Sequence, residues 1–141
     1  MKSRFLLFST ALFLSIFLSG CDIGSSSTQT CTASGIGTAA TAVTGEEGGT
    51  TTIAVGASAT FDVSFKIPNQ CYSFDRFYQQ NIDAAERQIT VNTKYDGCNC
   101  QDQESTLTQT YTFTPTTSGT YVLKFKKSNT DYFVRNVVVT E

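Results

Sequence analysis

The sequence predicts an all-β domain built as a two-layer sandwich, and three observations carry that expectation. Large apolar residues alternate with polar ones, most clearly where Phe61, Val63, Phe65 and Ile67 are spaced by Asp62, Ser64 and Lys66. Residues two apart in a strand share a face, so such a run lays its apolar groups on a core and its polar groups in water. Turn residues punctuate these runs, giving seven short strands over about 90 residues. No helical period is long enough to compete, and no internal repeat is present.

The strands follow in order. Residues 51–55 are the first, closed by Gly56-Ala57-Ser58. The Phe61 to Ile67 alternation is the second, ended by Pro68-Asn69, where no ladder donor is available. Residues 71–80 are the third, but their aromatics keep no single phase. Tyr72, Phe74 and Tyr78 share one face and Phe77 the other, which calls for either a bulge or an exposed ring. Asp83-Ala84-Ala85-Glu86 suits a single capped helical turn. Ile89, Val91, Thr93 and Tyr95 form the fourth strand, closed by Asp96-Gly97, and a polar loop over 101–106 leads to the fifth at Leu107. Residues 132–140, rich in Val, are the last, after a turn at Ser128-Asn129-Thr130-Asp131.

Between them lies Y-T-F-T-P-T-T-S-G-T-Y-V-L-K-F at 111–125, two alternating runs joined by a Pro-to-Gly turn. The spacing Gly119-Thr120-Tyr121-Val122-Leu123 resembles the corner before strand F of immunoglobulin-like sandwiches. That resemblance implies a seven-stranded antiparallel fold in which the Tyr121 hydroxyl returns to the preceding turn. No strand-C Trp is present, and Leu123 stands where the second inter-sheet Cys would be, so cysteines here must staple loops and edges instead.

The amino end carries an address. Lys2 and Arg4 precede an apolar run over 5–18, the right length for a secretory signal core. It ends in Leu18-Ser19-Gly20-Cys21, which resembles the lipobox of bacterial lipoproteins. The resemblance implies a signal peptide over 1–20, removal of that segment, and acylation (including palmitate) of Cys21 as a membrane anchor. Residues 21–50, rich in Ser, Thr, Gly and Ala, then read as a flexible tether, and 51–141 as the sandwich. Tyr95-Asp96-Gly97-Cys98-Asn99-Cys100, Tyr111-x-Phe113-x-Pro115 and Gly119-x-Tyr121-x-Leu123-Lys124-Phe125 together resemble small envelope lipoproteins of the Bacteroidetes type, over roughly residues 59–140.

Without the first twenty residues the chain holds eight basic and twelve acidic side chains, a net of about −4, with no basic block for nucleic acid. No His or Trp occurs. Cys31, Cys71, Cys98 and Cys100 remain beside Cys21, and an exported protein uses such cysteines as disulfides. Closing a ring across Asn99 alone is strained, so Cys71 is expected to take one of Cys98 and Cys100, and Cys31 the other. A metal or redox role for the Cys98-x-Cys100 pair lacks His or Met support, and Asp96 and Asp102 flank it.

Three further groups are candidates. Asp96, Asp102 and Glu104 share a loop and form a weak calcium candidate whose spacing does not match an EF-hand. Tyr72, Phe74, Phe77 and Tyr78 offer either core cover or a sugar- or protein-binding patch. Lys124, Lys126 and Lys127 read as a solvated strand end that discourages edge pairing. Without His no Ser-His or Cys-His nucleophile can form, and no phosphate-binding glycine motif appears. The expectation is a non-enzymatic envelope protein, free of cofactors and lipid-anchored, that contacts a protein partner. The alternative is a carbohydrate-binding module using the aromatics near Tyr72 and Tyr78.

Overall fold

The computed structural model describes residues 31–141; the signal segment, Cys21 and residues 22–30 lie outside them. Nine strands run through the described residues: β1 (Thr32–Thr38), β2 (Ala40–Val43), β3 (Thr50–Ala54), β4 (Ala59–Ile67), β5 (Tyr72–Asn81), β6 (Glu86–Asp96), β7 (Ser105–Phe113), β8 (Gly119–Lys126) and β9 (Tyr132–Thr140). They form two sheets, and a β-sandwich is the result. One sheet has the order β1-β6-β8-β9-β3 with β5 on the other edge of β6, and the second has the order β2-β4-β7. Antiparallel pairs dominate, but β3 runs parallel to β9 and the start of β6 parallel to β8.

Seven of these strands, β3 to β9, are those the sequence predicts. The other two correct the tether reading of 21–50, because β1 and β2 lie inside that span. β1 pairs with the last part of β6, end to end with β8 on the same edge, and β2 crosses to the second sheet to pair with β4. Neither strand buries much: Ala40 and Val43 reach the core, while most of β1 is exposed. The helical turn expected at residues 83–86 is also absent. Asp83 Oδ1 accepts the Ala85 and Glu86 N–H groups at 2.7 and 2.6 Å, as an N-cap would, but β6 starts at Glu86.

The core lies between the sheets. Val63 and Phe65 of β4 meet Leu123 and Phe125 of β8 and Val137 of β9, all fully buried. Each such side chain contributes roughly 1.5–3 kcal/mol by leaving water. Rings link the layers, with Tyr111 edge-on to Phe125 at 5.4 Å and to Phe77 at 5.4 Å.

The phase problem in β5 is resolved by a bulge. The β5–β6 register slips between Phe74 and Arg76, so the intervening Asp75 reverses which residues face inward. Phe77 thereby joins Tyr72 and Phe74 against the core, and Tyr78 turns to solvent at 54% exposure. A second slip, in β1 between Ala33 and Ile36, falls at the same level of β6, and Asp75 Oδ2 accepts the Gly35 N–H at 3.2 Å.

Candidate functional site

The strand registers give the sandwich two dissimilar poles. At one, Thr32 meets Asp96, Tyr72 meets Tyr95 and Ile67 meets Ser105. Both disulfides close there: Cys31 with Cys98 at a Cα separation of 5.1 Å, and Cys71 with Cys100 at 5.7 Å. This meets the expected pairing and fixes which of the two bridges forms with which cysteine, so a Cys71–Cys98 bond is not the one made. The Asp96 and Gly97 N–H groups donate to the Cys71 and Cys31 carbonyls, both at 2.9 Å. Gly97 has φ +141, and a Cβ there would lie 2.6 Å from Cys71 Sγ, so only glycine fits between the bridges.

The acidic residues of this pole do not converge. Glu104 is drawn to Lys66 Nζ at 2.6 Å, both largely exposed, and no group of three His, Cys, Asp or Glu among the described residues could hold a metal ion. The weak calcium candidate of Asp96, Asp102 and Glu104 gains no support from this arrangement, in which Glu104 makes an exposed pair with a lysine that is worth little. The aromatic patch is divided as well. Tyr72 packs at a tilt against Tyr95 and Phe74 against Phe77, both with ring centroids 5.0 Å apart and partly buried on the core side, and Tyr78 alone of the four is exposed.

The opposite pole carries a cleft of about 270 Å³, walled by β5, the start of β6 and the turn at 114–117. Gly56 N–H donates to Pro115 O at 2.9 Å, which ties the turns at 56 and 115 together, and Val122 N–H donates to Ala85 O at 3.0 Å, which ties the 82–85 loop to β8. Arg87 stands over the Tyr121 ring at 5.4 Å, its Nη1 donating to Asp83 O at 2.7 Å and its Nη2 to Ala84 O at 3.1 Å. The Tyr121 hydroxyl donates to Thr117 O at 3.1 Å and lies 2.6 Å from Thr117 Oγ1, which is the corner bond the Gly119-to-Leu123 spacing predicts. Tyr111 donates to Gln79 Oε1 at 2.5 Å, and burial pushes its phenol up to about 12 against a smaller pull from Arg87. Backbone N–H groups hold Asp83 below the usual carboxylate range. Amide, hydroxyl and guanidinium groups thus face one opening, a lining suited to hydrogen-bonding a polar or anionic surface.

Residues 61–137 match the family model described as the ORF11 beta-sandwich domain. The chain belongs to that family. No curated protein and no solved structure matches it. The ORF11 beta-sandwich domain match begins inside β4 and ends inside β9, so β1, β2 and β3 precede it.

Sequence reasoning missed a further arrangement in this domain, between the poles. Arg135, 4% exposed, has its five N–H groups on Val43 O, Thr44 O, Gly45 O, Val134 O and Glu47 Oε2 at 2.6–3.2 Å. A signal was available: Arg135 keeps the inward phase of Val137 and Val139, where a cation must find partners.

Proposed function

We infer that this chain is a lipid-anchored, non-enzymatic envelope protein whose sandwich binds a protein partner through the cleft pole. The reading joins the lipobox at Leu18-Ser19-Gly20-Cys21 to one structural observation, the position of Cys31. Bonded to Cys98, Cys31 belongs to the disulfide pole, ten residues from the acylated Cys21. Such a linker spans roughly 15–20 Å on average, which holds the disulfide pole toward the bilayer and turns the loops at 55–58, 82–85 and 114–118 away from it. The Tyr121 corner and the parallel β3–β9 pair support an immunoglobulin-like assignment for the sandwich, with β1 and β2 added to the seven strands. The carbohydrate alternative, a patch near Tyr72 and Tyr78, is the less favoured reading, because Tyr72, Phe74 and Phe77 are partly buried against the core and Tyr78 alone of the four is exposed.

Two measurements test this. Incorporation of an alkynyl fatty acid, and recovery with membranes, are expected for the wild type and lost in Cys21→Ser. A photo-crosslinker at Thr116 is expected to capture a protein partner in cells, and one at Gln101 is not. Unlabelled wild-type protein, or capture from Gln101 alone, would overturn the reading.

A further inference from the structure

The second sheet ends in an edge strand that lacks every protection the other edges carry. β4 fixes which of its groups are free. The Asp62 carbonyl accepts the Thr44 N–H at 3.0 Å and the Asp62 N–H donates to Thr44 Oγ1 at 2.9 Å, so the even-numbered residues of β4 turn their backbone toward β2. Odd-numbered residues of β4 therefore bond β7, and the register pairs them with Ser105, Leu107, Gln109, Tyr111 and Phe113. Thr106, Thr108, Thr110 and Thr112 are left with their N–H and C=O groups pointing off the sheet, and all four are exposed.

The contrast with the neighbouring edges is physical. β5 is interrupted by its bulge and carries Asp75 and Arg76, while β2 and β3 are four and five residues long. β7 spans nine residues, S-T-L-T-Q-T-Y-T-F, with no charge, no proline and no slip against β4. Bulges, charges and shortness are how proteins keep edges from pairing, and β7 has none of them.

We propose that β7 is a self-association edge, joining two copies of this chain about a two-fold axis at Gln109. The strand is complementary to itself in that register. Thr106 faces Thr112 and Thr108 faces Thr110 of the second copy, which gives about eight backbone hydrogen bonds. Leu107 faces Tyr111, and no like charges meet. The product is one continuous six-stranded sheet, β2-β4-β7 followed by its copy, with an isologous interface. Nothing about lipidation enters this geometry.

Native mass spectrometry of the full chain, released from detergent, is expected to give a dimer. Thr108→Pro removes one outward N–H and leaves the backbone ladder with β4 whole, losing only the exposed Thr108–Ser64 hydroxyl contact. It is therefore expected to weaken dimerisation at least tenfold while the monomer still unfolds cooperatively. Gln109→Cys serves where a proline is not tolerated. At the two-fold axis its Cα atoms come within disulfide reach, so a covalent dimer is expected under mild oxidation, and Thr106→Cys is expected to give none. A monomer at all concentrations, or equal crosslinking from both cysteines, would overturn the proposal.

Discussion

Arg135 governs a loop that no hydrophobic contact could hold. Its guanidinium binds three consecutive carbonyls, those of Val43, Thr44 and Gly45, as the chain leaves β2. Arg135→Met keeps the volume and leaves those acceptors partly buried and unpaired, at about 1–3 kcal/mol for each that water cannot reach. A loss of about 3 kcal/mol is expected, read from the urea midpoint; a shift under about 0.5 kcal/mol would show that water replaces the guanidinium. Glu47 completes the arrangement. The Val134 N–H, donating at 2.7 Å, holds its carboxyl below the usual value, helped by Arg135 and opposed by desolvation. A depressed folded value means the stabilisation is full above the unfolded glutamate value of about 4.3 and is lost as pH falls through the folded one. The stability difference between wild type and Glu47→Gln is therefore expected to be largest near neutral pH and to shrink below about pH 4. Chemical denaturation at pH 7 and pH 3 checks it, and a difference that stays constant would remove the carboxylate from the account.

In β5 one inserted residue decides which rings the sandwich owns. Asp75 shifts the phase, so Phe77 packs on Tyr111 and Phe74 while its neighbour Tyr78 faces water. Phe77→Ala is expected to cost about 2–3 kcal/mol, below the range for a fully buried ring because Phe77 is partly exposed. Tyr78→Ala is expected to stay within about 0.5 kcal/mol, and equal costs for the pair would place the bulge elsewhere. The same strand marks how far a sequence can be read. Alternation located β4 to β9, whose apolar residues pack wholly or partly on the core, while β3, with only Ile53 half-buried, was marked by the Gly56-Ala57-Ser58 turn that closes it. The broken phase of Tyr72, Phe74, Phe77 and Tyr78 called for a bulge or an exposed ring. The structure has both, and the position of the slip depends on the ladder with β6, which is not local. β1 and β2 escaped because their residues are small and mostly exposed. Their order comes from pairing with β6 and β4 and from Cys31, none of it periodic in sequence. Of the cleft, the Tyr121 corner was legible from its spacing, whereas Arg87 met that ring only through the β6–β8 pairing.

At the scale of the molecule, two long-range bridges close one end and leave the other to packing. Cys31–Cys98 spans 67 residues and Cys71–Cys100 spans 29, worth roughly 4.4 and 3.6 kcal/mol in the chain-entropy model. The loops overlap between residues 71 and 98, so losing both costs less than the sum. The two bridges restrain different elements. Cys71–Cys100 ties the entry of β5 to the segment beyond β6, two elements already joined by a nine-pair ladder. Cys31–Cys98 instead holds the start of β1, which has a slipped ladder and few buried side chains of its own. Replacing Cys31 and Cys98 together by Ser is therefore expected to speed amide exchange across β1 by more than tenfold, with β8 and β9 keeping their order of protection. Replacing Cys71 and Cys100 is expected to lower global stability by a similar amount and leave β1 no faster than the rest. Should β1 stay protected without its bridge, the β6 ladder and the Gly35–Asp75 bond would be sufficient to hold it, and the disulfide would act on the unfolded chain alone.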